Sequence, residues 1–122
     1  INLDNVGGGR LRYFLGEGML AYQKYDAELI DLAAAISQRH GGRVKPLKNW
    51  LLPTDGLLPA KAGFKAISFL AIGDDQMIPN YHWHSDTIDN VDRDVVEFTE
   101  QFVWELLEET GGRREEQRVG TG

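Results

Sequence analysis

The stretch Ala66-Ile67-Ser68-Phe69-Leu70-Ala71-Ile72 constrains the fold of this chain more than any other. It is almost wholly apolar, with β-branched and aromatic residues, and it is far too short to cross a bilayer. A run of that kind is a buried strand, which needs other layers to cover it. We place the strand over Phe64 to Ile72, introduced by Gly63. One cover is legible downstream. Val95, Phe98, Thr99, Phe102, Val103 and Leu106 fall on one helical face, with Glu97, Glu100, Glu105 and Glu108 opposite. Asp92 is its N-cap and Gly111-Gly112 its expected stop.

The segments before this pair fill in a sheet and a second helix. Ile1 to Val6 alternates as a short strand and ends at Gly7-Gly8-Gly9; Arg10 to Leu15 alternates as a second and closes at Gly16-Glu17-Gly18. No Gly-Lys-Ser/Thr or dinucleotide fingerprint accompanies these glycines, so they read as turns. Asp26 caps a helix carrying Leu29, Ile30, Leu32, Ala33 and Ile36, with Gly41-Gly42 as the stop. His40 falls at that C-terminus, where a cation meets the helix dipole favourably. Arg43 to Leu52, broken by Pro46, reads as a short or edge strand, and Leu57 to Ala62 as a short helix after the turn Pro53-Thr54-Asp55-Gly56. The order is that of an α/β fold with helices covering a sheet. Arg113 to Gly122 has mixed charge and no apolar anchor, which predicts a disordered tail.

The chemistry-bearing residues concentrate between the buried strand and the last helix, in Asn80-Tyr81-His82-Trp83-His84-Ser85-Asp86-Thr87. Residues 82 and 84 on extended backbone would point to one face, and such a pair can give two nitrogens to a zinc. A catalytic zinc takes about three protein ligands, so a carboxylate is also needed. Asp4, Asp86 and Asp89 are candidates, although Asp86 before Thr87 equally suits an Asx-type turn, and Asp74-Asp75 a polar exit from the strand. Trp83 suits a pocket wall or a packing plug. With no cysteine and no Gly-x-Ser-x-Gly elbow, a nucleophile-based hydrolase is disfavoured. Thirteen Lys and Arg against nineteen Asp and Glu give a net charge of -6, which argues against a nucleic-acid surface. No apolar run is long enough for a membrane span.

Three segments together resemble the two-zinc aminopeptidases. Tyr81 to Asp92 is similar to that family's C-terminal ligand segment, in which a His lies four residues before an Asp-Thr pair; here these are His82 and Asp86-Thr87. Ile1-Asn2-Leu3-Asp4-Asn5-Val6-Gly7 resembles the strand whose Asp is another ligand. Thr54-Asp55, a spacer, Gly63 and the apolar strand match the layout between them. The resemblance implies a three-layer α/β/α sandwich around a mixed sheet, two Zn2+ ions per complete site, and hydrolysis of N-terminal peptide bonds. It implies that Asp4 ligates one zinc and His82 the other, that Tyr81 donates to the developing oxyanion, and that His84 is a loop residue. Asn5 replaces a bulkier apolar residue, a small departure.

The large departure is that the family's first His, bridging Asp, general-base Glu and adjacent Glu would all lie upstream of Ile1. The expectation is therefore that residues 1–112 are the C-terminal part of a catalytic domain, separated from its N-terminal half, and inactive alone towards a peptide substrate. The chain begins without Met, inside what reads as a strand, in keeping with a piece of a longer protein. Alternatives of the same fold are a glutaminyl-cyclase-like acyltransferase and a non-catalytic module that pairs with another copy through an exposed sheet edge. A mononuclear site on His82 and His84 is a further alternative. Family members are frequently secreted or periplasmic.

Overall fold

In the computed structural model, which describes residues 1–120, the buried run lies inside a sheet. Strands β1 (Asn2–Asp4), β2 (Arg10–Phe14), β5 (Lys45–Leu47) and β6 (Ser68–Ile72) form a four-stranded sheet in the order β1-β6-β2-β5. β1 runs parallel to β6, β6 antiparallel to β2, and β2 parallel to β5, so the sheet is mixed. Every residue of β6 is buried, which is why its sequence does not alternate. Its side chains nonetheless divide by parity. Ile67 and Phe69 join a core with Leu11, Tyr13, Leu32, Ile36, Phe102 and Leu106. Leu70 and Ile72 join a second core with Phe14, Tyr25 and Ala66.

The first core is roofed by α1 (Ala27–Arg39) and α3 (Arg93–Val119). Asp26 accepts from Leu29 N and caps α1, while Asp92 accepts from Asp94 N and Val95 N and caps α3. Gly41 and Gly42, at φ 71° and 72°, end α1 in left-handed backbone that favours glycine. His40 bonds Glu105 at 2.8 Å and lies edge-on to Phe98, so it joins α1 to α3. The second core is covered by Trp50, Ile78 and Ala60, the last on the short helix α2 (Leu57–Lys61). The chain is thus a small mixed α/β fold with a mixed sheet.

Three boundaries differ from the sequence reading. The buried strand begins at Ser68, not Phe64, because Phe64 donates its N–H back to Pro59 and stays 70% exposed. Gly16-Glu17 is not a turn but a strand, β3 (Gly16–Glu17), paired antiparallel with β4 (Gln23–Lys24). Finally, α3 passes through Gly111-Gly112, its expected stop, and is assigned to Val119; Thr121 and Gly122 of the expected tail lie outside the described residues. Neither glycine has positive φ, so no left-handed cap forms. Glycine in a helix interior costs only about 1 kcal/mol, less than the packed turns before it can carry.

Candidate functional site

The carboxyl ends of β1 and β6 lie side by side, because the two strands are parallel with Asp4 opposite Leu70. In open α/β sheets that end is where ligands bind. Asp4 is the last residue of β1, and Asn5 turns the chain there at φ 48° while its Nδ2 donates to Asp4 Oδ1 at 2.8 Å. From β6 the chain enters a long connection to α3 that holds only one short 3-10 turn, Ile88–Asn90. Loops of that length without regular structure are uncommon in compact domains and are usually functional segments or linkers. Asp92 N donates to Gly7 O at 2.8 Å, which ties the end of this connection to the exit of β1.

The connection is a series of tight turns. Gly73 N bonds Met77 O, Trp83 N bonds Asn80 O, and Asp86 N bonds Trp83 O. Asn80 and His82 both take φ 58°. The His-x-His segment is therefore not extended, and the geometry that would point His82 and His84 to one face does not occur. His82 instead stacks its ring on Tyr81, with centroids 3.9 Å apart and planes 20° from parallel.

Two cavities meet at this loop. The smaller, of about 30 Å³, is lined by Asp4, Thr54, Leu70 and Tyr81 among others, and has room for about one water. The larger, of about 630 Å³, is lined by Trp50, Leu52, Asp75, Met77, Ile78, Tyr81 and Trp83 among others. Tyr81 belongs to both. Of the residues expected to act, Asp4 and Tyr81 share the small cleft, and His82 reaches it only through its stack on Tyr81. His82 and His84 line neither cavity. No group of three or more His, Asp or Glu side chains able to hold a metal occurs among the described residues.

Behind the cleft lies a polar network that the sequence reading did not foresee. Glu17 is fully buried, and its carboxylate accepts from Thr54 N at 2.7 Å and Thr54 Oγ1 at 2.8 Å. Tyr25 OH lies 2.7 Å from Ser68 Oγ, and Ser68 Oγ 3.3 Å from Thr54 Oγ1. Each hydroxyl has one proton, and the carboxylate accepts only. The protons consequently run Tyr25 to Ser68 to Thr54 to Glu17. Asn2 Nδ2 adds bonds to Thr54 Oγ1 and Ser68 Oγ, binding β1 to the same network two residues before Asp4. Burial, reinforced by the Glu17 carboxylate, pushes the Tyr25 phenol up to about 12. Gly56 closes the top, where a Cβ would overlap Ser68 Oγ and the Tyr25 hydroxyl. A glutamate between two glycines, and a threonine before Asp-Gly, were the only traces of this in the sequence.

No family model matches the chain, and no curated protein or solved structure matches it significantly.

Proposed function

We propose that residues 1–112 are the C-terminal part of a zinc aminopeptidase-like catalytic domain, whose complete form is a three-layer α/β/α sandwich that hydrolyses N-terminal peptide bonds. One observation carries this reading. Asp4 and Tyr81, far apart in the sequence, line one cleft at the carboxyl end of parallel strands, and the His82 ring lies against Tyr81. A carboxylate and an imidazole are donors that zinc accepts. Two such groups do not make a closed site, which suits one ligand to each of two zincs, the others coming from polypeptide outside these residues.

Asp4 and His82 would hold the metals, which when bound polarise a carbonyl and lower the pKa of water. The chain's own contributions are positional and electrostatic. Asn5 holds one Asp4 oxygen and leaves the other available. Tyr81 presents a phenol that can donate to an oxyanion. Thr54, fixed by Glu17, forms part of the cleft wall. The outer edge of β1 is unpaired among the described residues, with Leu3 exposed beside it, and there the remaining sheet would join.

Zinc titration followed by the imidazole NMR signals of the three histidines tests this. The expected result is weak binding that moves His82 and spares His84 and His40. Tight stoichiometric binding that moves His84 together with His82, or no response at His82, overturns it.

A further inference from the structure

The end of the sheet where β6 begins carries apolar and charged side chains that neither the core nor the cleft uses. β2 runs antiparallel to β6, with Tyr13 opposite Phe69, so the β3–β4 hairpin leaves from the amino end of β6. α2 leads into that same end, where Asp26 N bonds Ala66 O at the start of α1. The hairpin tip is a built turn. Gly18, at φ 136°, could not carry a Cβ without overlapping Ala21 O, and the Tyr22 ring folds back over Gly16. Met19 and Leu20 are left in solvent, 66% and 100% exposed. α2, packed near β4, adds Leu58 at 74% exposed, and the exposed Phe64 follows it. Large apolar side chains exposed together mark an interaction surface.

The charges decide what covers it. Lys24 on β4, Lys48 after β5, Lys61 on α2 and Lys65 before β6 are all exposed at this end. Glu17 is buried, Asp26 caps α1 and Glu28 pairs with Lys65, which leaves Asp55 as the exposed acid of the turn into α2. Residues 1–72 hold nine Lys and Arg against six Asp and Glu, whereas residues 73–112 hold one against eleven. That acidic segment starts from the other end of β6, and its Glu109 and Glu105 bond Arg39 and His40 at the far end of α1. An anionic surface therefore attracts one end of the molecule and repels the other. We propose that the hairpin tip and α2 form a peripheral contact with an anionic lipid bilayer. Met19, Leu20, Leu58 and Phe64 enter the boundary between headgroups and acyl chains, while the lysines meet the headgroups. None of the four lines either cavity. They protrude rather than form a groove, which suits a soft surface that requires no complementary shape.

Co-sedimentation of the whole chain with lipid vesicles tests this. Binding should be saturable on phosphatidylcholine vesicles containing roughly a third phosphatidylserine. It should fall at least about fivefold on phosphatidylcholine alone, and by a similar factor in roughly 0.5 M salt. Leu20→Ser and Lys61→Glu should each weaken binding at least about fivefold, with the circular dichroism spectrum unchanged. Leu58→Ser, on a separate element, should do the same. Trp104→Ser removes an indole that is 62% exposed on α3, outside the patch, and should leave binding intact. No binding, equal binding to phosphatidylcholine alone, indifference to Leu20→Ser, or an equal loss in Trp104→Ser would overturn the proposal. Sedimentation velocity without lipid completes the test: self-association abolished by Leu20→Ser would assign the patch to a second copy and overturn the lipid contact.

Discussion

The Glu17 network and the 80–87 segment are both rich in polar and titratable groups, yet they are organised in opposite ways. Glu17, Tyr25, Thr54 and Ser68 come from four separate places in the chain and bond one another in the interior. No buried side-chain nitrogen or oxygen lacks a partner among the described residues. Tyr81 to Thr87 are adjacent in sequence, lie mostly exposed, and are held by backbone turns, one ring stack and a bond from Asn90 Nδ2 to Ser85 O. The interior set has high cost and no freedom, so it fixes the wall of the cleft. The surface set has low cost, so it is free to serve a ligand. Density of reactive residues along the sequence is therefore a poor guide to where folding free energy resides.

Glu17→Ala tests that contrast at its strongest point. It removes a fully buried carboxylate, leaves the half-buried Thr54 N–H and Oγ1–H without that acceptor, and opens a cavity. Each unsatisfied buried donor costs roughly 1–3 kcal/mol, so urea denaturation should show a loss of about 3 kcal/mol or more. Glu17→Gln retains one acceptor and should lose about half as much. A change below about 1 kcal/mol for Glu17→Ala would mean that water replaces the carboxylate and that the network does not fasten the cleft.

Much of the frame was legible because it is periodic. The unbroken apolar run, the 3.6-residue stripe of Val95 to Leu106, and the capping aspartates Asp26 and Asp92 each follow from local physics, and each element formed. The network was not legible, since nothing local to Gly16-Glu17-Gly18 reveals that Thr54 will arrive above it. Pairing of β3 with β4 and of Glu17 with Trp50 is what carries that carboxylate inward. At the site, Asp4 and Tyr81 were singled out and do share a cleft. The extended His82–His84 pair failed for a local reason of another kind, the left-handed backbone at Asn80 and His82, which no side-chain pattern announces.

Tyr25→Phe probes the far end of the network with a smaller change. It removes one hydroxyl and its 2.7 Å bond to Ser68, while Ser68 keeps Thr54 and Asn2 as partners. The expected loss is about 1 kcal/mol near neutral pH. The pH dependence sharpens this. The phenol titrates near 10 when unfolded and at about 12 in the folded chain, so between those values the unfolded state binds fewer protons. Stability from this group is full below pH 10 and is lost as pH rises towards 12. Tyr25→Phe should flatten that alkaline decline; an identical decline in both proteins would place the titrating group elsewhere.

The smallest effect belongs to the residue expected to matter most for a ligand. His82 is exposed, and its contact among the rings is the stack on Tyr81. Its backbone sits at φ 58°, a conformation that strains a residue with a Cβ and suits glycine. In His82→Gly, relief of that strain and loss of the stack oppose each other. The greater freedom of glycine in the unfolded chain opposes the relief as well. The sum should lie within about 0.5 kcal/mol of zero by denaturation, while any zinc response at this position disappears. A loss above about 1 kcal/mol would show that the Tyr81–His82 stack holds the loop. The surface segment would then be as structural as the network beneath it, and the contrast between them would fail.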